Sequence, residues 1–271
     1  MQQYVHGYSD REAERLADQA DSVRDLIHAD TSFASGDRVL EPGCGVGAQT
    51  MPLAGRFPNT KFTSFDLSAE SLARAREGLG ELENVALLRT DLLTPPFADG
   101  QFDAALVSYL LEHVPDPARA LTMVRRLVKP GGRVYVVEGD HGSCYWHPET
   151  VPAQRAWKCL IEVQRRLQGD SLIGRRLYPL LTNAGLADVQ VSPRMVYADE
   201  SQPHLMVAFV EKTIVPMVLG AREAALEWGL IEAETFDEGA RDLLTVSRVP
   251  GGAFCYTFFK ATATRPQAAG G

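Results

Sequence analysis

Basic charge is the first thing the sequence is short of: 27 Lys and Arg stand against 35 Asp and Glu, a formal net charge of −8. A phosphate backbone would be repelled on average unless a local basic patch outweighed the whole, so nucleic acid is not an expected partner. Cysteine is scarce too. The four present, Cys44, Cys144, Cys159 and Cys255, form no C-x-x-C pair and are too few to staple 271 residues, which excludes a disulfide framework and gives no sign of a structural zinc site. No run approaches the roughly 18 to 20 unbroken apolar residues of a membrane span, and the N-terminal MQQYVHGYSDREAERL lacks the basic-then-apolar order of a signal peptide. The expectation is a cytoplasmic protein with no membrane partner. Repeats are missing, and the only biased stretch is the small, polar tail 264–271, which reads as flexible.

What is present is a globular composition, 45% hydrophobic and 23% charged, enough for one large core or two modest ones. Ser9 and Glu12 form an S-x-x-E capping box, and Ala13, Leu16, Ala20, Val23 and Ile27 follow at helical spacing. From residue 38 short apolar runs alternate with helical stretches: RVLEPG, a helix over 49–56, KFTSFD, a helix from Ser68, then VALLRTD. That alternation predicts a parallel sheet with crossover helices. FDAALVSYLLEHV has no apolar-polar alternation, as expected of a strand covered on both faces. Asp116-Pro117 starts the next helix, Lys129-Pro130-Gly131-Gly132 stops it, and RVYVVEGD makes a fifth strand. A helix-rich stretch over 149–185, a sixth strand in ADVQVSPRMVYA with its proline suited to an edge, helices over 202–248 and a last strand in GAFCYTFFKATA complete the order.

The join of the first strand and its helix is glycine-rich, Glu41-Pro42-Gly43-Cys44-Gly45-Val46-Gly47-Ala48. Glycines there let a ligand approach the backbone and leave the N–H groups of a helix start free to meet it. The pattern also satisfies G-x-G-x-x-A, used by nicotinamide-dependent oxidoreductases. Asp66 follows at the end of the second strand, where a carboxylate can accept hydrogen bonds from both hydroxyls of a ribose, and either cofactor class wants that acid. A second acid, Asp91, closes the third strand, placed to meet an adenine amino group or simply to cap a helix.

With these residues in order, the chain resembles the class I S-adenosylmethionine-dependent methyltransferases of small-molecule type, similar to the type 11 group, over about Arg38 to Ala263. The motifs are E-x-G-C-G-x-G from Glu41, Asp66, Asp91, D-G-Q-F-D-A from Asp99, L-E-H-V-P-D-P from Leu111, and V-K-P-G-G before strand five. The resemblance implies a Rossmann-like α/β fold: a seven-stranded, mostly parallel sheet with a reversed last strand and helices on both faces. It implies S-adenosyl-L-methionine as cofactor, with Gly43, Gly45 and Gly47 as backbone contacts and Glu41 near the methionine amino group. It further implies Asp66 on the ribose, Leu67 on the adenine, Asp91 and the Leu92 amide at the adenine edge, and the Ser108 carbonyl toward the methionine amino group. Glu41 and Asp91 would have no role in an oxidoreductase, which leaves that reading behind.

The domain expectation is one methyltransferase domain over 1–271: an N-terminal helical lid over 1–37, a core over 38–200 and 250–263, a helical cap inserted at 201–249, and the tail. Methyl transfer is an in-line displacement, so positioning the acceptor matters most and a base is optional. His141 and His113 are the candidate bases at the ends of strands five and four. Tyr109, Tyr145, Trp146, Met206 and Phe209 are candidate acceptor contacts, Tyr4 another in the lid, and Tyr8 a cofactor contact there. His141 and His147 lack an acidic partner at ligand spacing, so no metal is expected. The insertion offers either a roof over a small, fairly apolar acceptor of specialised metabolism or a homodimer surface. The expected activity is methyl transfer to such an acceptor; the alternatives are a cofactor-binding protein of the same fold without turnover and an NAD(P)-dependent oxidoreductase.

Overall fold

The computed structural model describes residues 23–80 and 82–267. Tyr4, Tyr8 and the Ser9–Glu12 box lie outside the described residues, and the expected lid helix is described only over 23–28. The strands are β1 (Arg38–Pro42), β2 (Lys61–Asp66), β3 (Val85–Arg89), β4 (Phe102–Ser108), β5 (Val128–His147), β6 (Ala187–Asp199) and β7 (Ala253–Thr264). They form one seven-stranded sheet in the order β3-β2-β1-β4-β5-β7-β6. β1 runs parallel to β2 and β4, β2 to β3, and β4 to β5, while the last strand, β7, is reversed and enters between β5 and β6. Pro193 thus sits on an edge strand, where its missing N–H is tolerated.

The helices are α1 (Thr50–Arg56), α2 (Ala69–Leu79), α3 (Pro117–Leu127), α4 (Val151–Arg166) and α5 (Leu177–Asn183), then after β6 α6 (Pro203–Leu205), α7 (Val215–Gly220), α8 (Arg222–Glu227) and α9 (Ala233–Val246). Between α6 and α7 the turns widen into a π-helix, Met206–Ile214, a form that recurs at functional sites. Three helix starts are set by side chains: Ser68 Oγ accepts from the Ser71 N–H at 3.1 Å, Asp116 from Arg119 at 2.9 Å, and Thr150 from Ala153 at 3.2 Å.

The fifth strand is longer than expected. It begins at Val128, directly after the helix stops at Leu127 as expected, and the pairing with β4 shifts between Phe102↔Val128 and Ala104↔Arg133, so Lys129 to Gly132 form a bulge inside the strand. At the other end β5 continues to His147, so the segment from His141, expected just past the strand, is strand itself. The fourth strand is shorter than its apolar run. It ends at Ser108, where Tyr109 takes a left-handed φ of 53° and turns the chain into a short 3-10 turn, Leu111–His113.

The chain divides into two compact units. The first comprises Ile27–Gly139, Leu172–Arg194 and Phe258–Gly271; the second comprises Met1–Leu26, Asp140–Ser171 and Met195–Thr257. In the first unit, neighbouring residues of each strand feed two separate apolar clusters. Leu40, Phe65, Ala105, Val107, Val134 and Val136 enter one; Val39, Phe62, Ala104, Leu106 and Tyr135 enter the other. This is the period-two consequence of a sheet covered on both faces. In the second unit α4 packs against α9. Gly239 makes that approach possible: a Cβ there would lie 2.3 Å from the Pro152 carbonyl oxygen. The helical run Pro203–Glu227 has a window of mean hydropathy 1.4, long and apolar enough to cross a bilayer, and half of that window is buried inside the protein, as fits a core helix.

Buried polar groups knit the first unit. Lys260 on β7 is almost wholly buried, and its Nζ donates to the Ile27 carbonyl at 2.8 Å, to Thr31 Oγ1 at 2.6 Å and to Asp30 Oδ1 at 2.6 Å. His28 Nδ1 lies 3.2 Å from Thr31 Oγ1 and its Nε2 lies 2.8 Å from Gln49 Oε1. Because Gln49 Oε1 can only accept, Nε2 carries the proton and Thr31 donates to Nδ1. Burial holds His28 neutral, its pKa lowered to about 4.

Glu41 on β1 accepts from the hydroxyls of Thr50 and Ser64, the latter at 2.7 Å. Burial nevertheless dominates and pushes its pKa up to about 7.

Two outcomes follow from these groups. Lys260→Met strips the Ile27 carbonyl and the Thr31 hydroxyl of their donor, and denaturant unfolding should show a loss of about 1–3 kcal/mol; an unchanged midpoint would show the three contacts to be worth nothing net. For Glu41 the folded chain keeps its proton up to about pH 7, whereas the unfolded chain loses it near 4.5. Its stabilising contribution is therefore present below 4.5 and lost as pH rises through 7, a swing of about 3 kcal/mol. Glu41→Gln, uncharged throughout, should gain on the wild type in melts at pH 8 relative to pH 5, and an equal difference at both values would contradict the buried-acid account.

Candidate active site

At the carboxyl end of β1 the chain leaves the sheet in a turn that only glycines can make. Gly43, Gly45 and Gly47 all have left-handed φ, at 69°, 53° and 79°. A Cβ on Gly43 would fall 2.7 Å from Leu110 Cδ1, and one on Gly47 would fall 2.8 Å from Leu79 Cδ1, so both are packed from behind. Gly45 has open space where its side chain would be: among the described residues, its chain neighbours aside, nothing lies within 4 Å. The turn is therefore braced at both ends and bare in the middle, a cradle into which a ligand's atoms can come against the backbone.

Asp66, at the end of β2, faces this turn. Its Oδ2 accepts from the Gly45 N–H at 2.9 Å and its Oδ1 from the Ser68 N–H at 2.8 Å. Each carboxylate oxygen has a second lone pair, so one residue can fix the turn and still receive two hydroxyls of a ribose. Leu67 beside it is 63% exposed, an apolar surface left uncovered next to the acid. Asp91, beyond β3, uses Oδ1 to accept from the Leu93 N–H at 2.8 Å and so shapes its own turn, while Leu92 is buried in the core beside Phe65. Glu41 lies beneath the turn with its Oε2 engaged by Thr50 and Ser64.

The ends of β4 and β5 carry the next group. Ser108 is buried, and among the described residues its Oγ has no hydrogen-bond partner. Tyr109 passes its N–H to the Val137 carbonyl at 2.9 Å and rests its ring on Phe258, centroids 5.7 Å apart. His113 Nε2 lies 3.5 Å from Glu112 Oε1. Glu138 on β5 is fully buried; burial first, and then the neighbouring Glu112 carboxylate, push its pKa well above the ordinary carboxylate range.

The second unit holds the other predicted residues. His141 is buried with Nδ1 2.7 Å from Tyr256 Oη, and its carbonyl accepts from the Trp157 indole N–H at 2.8 Å. Trp146 stacks on Phe254 with planes 10° apart, and Phe209 from the π-helix meets both Phe254 and Tyr256 at 5.9 Å. Met206 is buried as well, whereas Tyr145 is half exposed. The structure thus gathers His141, Trp146 and Phe209 with Tyr256, Trp157 and Phe254 into one aromatic cluster. Tyr256 and Trp157 are absent from the sequence reading: each lies far from His141 along the chain, and no local pattern marks the pairing. Among the described residues no group of His, Cys, Asp and Glu could hold a metal ion.

Residues 40–136 match the methyltransferase domain family. An uncharacterised 37.1 kDa protein of a Streptomyces fradiae transposon is 32% identical over 177 residues, 65% of this chain and 51% of that protein. A demethylmenaquinone methyltransferase of Staphylococcus aureus is 33% identical over 116 residues, 42% of this chain and 48% of that enzyme. The chain thus spans about half the length of the curated relatives it matches. Among solved structures, the [4+2]-cyclase SpnF superposes with TM-score 0.58 at 20% identity, covering 92% of this chain and 82% of the cyclase. A Haemonchus contortus phosphoethanolamine N-methyltransferase with S-adenosylhomocysteine bound gives 0.56 at 18% identity, over 92% of this chain and 53% of that enzyme. A geranyl diphosphate methyltransferase gives 0.52 at 19% identity, over 91% and 76%. At these identities the likeness is one of fold. The bare glycine cradle and the ribose-ready carboxylate of Asp66 fit S-adenosylmethionine, and residues 40–136, with the sheet order around them, form a methyltransferase-type domain.

Proposed function

We propose that the protein transfers a methyl group from S-adenosylmethionine to a small, uncharged, aromatic or otherwise apolar acceptor. The observation that carries this reading is the open glycine turn tied to Asp66 through the Gly45 N–H. S-adenosylmethionine supplies the methyl on a sulfonium, an electrophile that needs no further activation. The chain's own work is then to hold and orient. Gly43 to Gly47 give the close backbone approach, Asp66 accepts the ribose hydroxyls, and Leu67 covers an adenine face. The acceptor belongs to the second unit, whose interior is aromatic. Its buried polar side chains among the described residues are Asp140, His141, Gln164, Ser171 and Thr213, with no Lys or Arg to receive a phosphate. Trp146 and Phe209 supply flat apolar contact there. His141, its ring fixed by Tyr256 Oη and its backbone by Trp157, takes the proton that a phenol or acidic carbon gives up. His113, its Nε2 3.5 Å from Glu112 Oε1 at the end of β4, is the other candidate base.

The likeness to a [4+2]-cyclase favours one second reading, a protein of this fold that binds the cofactor and transfers no methyl. Calorimetric titration with S-adenosylhomocysteine should give saturable binding, weakened about ten- to a hundredfold in Asp66→Ala; unchanged affinity in that variant would sink the ribose placement. Incubation with S-adenosylmethionine and a panel of phenolic acceptors should release S-adenosylhomocysteine only when an acceptor is present. Binding without release from any acceptor in a broad panel favours the second reading. With an accepted substrate, His141→Ala should lower kcat by about 10²-fold or more and Tyr256→Phe by less, and a wild-type kcat in His141→Ala would leave positioning alone as the mechanism.

A further inference from the structure

The parallel pairing of β4 with β5 ends at Ser108↔Val137, and the Tyr109 N–H makes the last bond of that ladder to the Val137 carbonyl. Tyr109 then turns the chain through a left-handed φ, so the amides of Leu110 and Leu111 point away from any strand carbonyl. Buried amides must find acceptors. Both find the same one: Glu138 Oε1 accepts from Leu110 at 3.1 Å and from Leu111 at 2.7 Å. Glu138 is fully buried, and among the described residues its Oε2 has no hydrogen-bond partner. The Glu112 backbone adds a further hydrogen bond to the same carboxyl group, so Glu138 is the common acceptor for the turn after β4. The turn so fixed carries the Leu110 side chain, and Leu110 Cδ1 lies 2.7 Å from where a Cβ on Gly43 would stand.

We infer that Glu138 is a positioning residue for the cofactor site: by holding the Leu110 and Leu111 amides it sets the Leu110 side chain as the back wall of the glycine turn at Gly43. The inference rests on the placement of the cofactor at that turn. Its force comes from the packing direction. Gly45 is open on the ligand side while Gly43 is packed by Leu110, so a shift of Leu110 changes the shape of the cradle without touching the ligand. Burial of Glu138, raising its pKa, agrees with an acceptor that bonds without a charge.

The test is affinity for S-adenosylhomocysteine, measured by calorimetry on the full chain for wild type, Glu138→Gln, Glu138→Leu, Leu110→Ala and the Glu138→Leu/Leu110→Ala double variant, with folding followed by circular dichroism. Glutamine keeps the bonding oxygen and should bind within about twofold of wild type, whereas Glu138→Leu should lose about tenfold or more. Leu110→Ala should also bind more weakly, and the double variant should be no weaker than Glu138→Leu, because both substitutions remove the same wall. A merely structural role would lower the melting temperature and leave the affinity of the folded fraction intact. Wild-type affinity in a folded Glu138→Leu overturns the inference, as does equal weakening in Glu138→Gln or an additive double variant. Should Glu138→Leu fail to fold, wild-type affinity in Leu110→Ala overturns it and weakened affinity there with retained affinity in Glu138→Gln supports it. A wild type that does not bind the ligand overturns the cofactor reading itself, a result distinct from any variant difference.

Discussion

The turns that leave the parallel sheet have to satisfy amides that no strand can reach, and in this protein acidic side chains do it. Asp66 takes the Gly45 and Ser68 amides, Asp91 takes Leu93, Glu138 takes Leu110 and Leu111, and Asp116 takes Arg119. Each such bond satisfies a buried amide and fixes the turn's direction, whether the acceptor is partly exposed, as at Asp66, or buried with its charged form disfavoured, as at Glu138. The shape of the glycine cradle follows, since one of its amides and the leucine behind it are both held this way. So does part of the chain's acidity. The sign of the −8 net charge also suits a cofactor that carries a sulfonium.

The two buried acids under the sheet's carboxyl edge show how burial and hydrogen bonding compete. Glu41 accepts two hydroxyl hydrogen bonds on one oxygen, yet desolvation still raises its pKa to about 7. Glu138 accepts from backbone amides and is also raised well above the ordinary carboxylate range, by burial first and by the Glu112 charge second. Asp66 lies at the end of β2, only partly buried. Depth thus separates acids of one chemistry into different tasks, the shallow one open to a ligand and the buried ones fixed acceptors beneath the loops.

Much of the first unit was legible in the sequence because its signals are local. A strand of apolar residues, glycines at the turn and an acid at the next strand end lie within about thirty residues, and each names its own geometry. Ser68 and Asp116 likewise announce their helices. The errors fell where a local signal competes with pairing. The helix does stop ahead of Lys129-Pro130-Gly131-Gly132, at Leu127, but β4 pairs on both flanks of that segment, so it is a bulge inside β5 and the strand starts earlier than its apolar run. The run after Ser108 looks like strand, but the ladder ends there and Tyr109 turns. What could not be read at all depends on contacts across the chain: His141 with Tyr256, 115 positions away, and Lys260 with Asp30, 230 positions away. Tyr256 alternates in a strand like any other aromatic, and Lys260 looks like a surface lysine until the Ile27 carbonyl is found beside it.

The division of the molecule also divides what similarity can tell. The matched methyltransferase domain, 40–136, falls wholly inside the first unit, which holds the glycine turn, Asp66 and Asp91. The described residues of the second unit lie outside that match, and they carry the aromatic cluster, the His141–Tyr256 pair and the π-helix. A family in which the cofactor is constant and the acceptor varies should concentrate its shared residues around the former and its individual ones around the latter. What the match does not reach must therefore be argued from the second unit's own side chains, where the buried rings of Trp146, Trp157, Phe209 and Phe254 meet one another and the His141–Tyr256 pair is held among them.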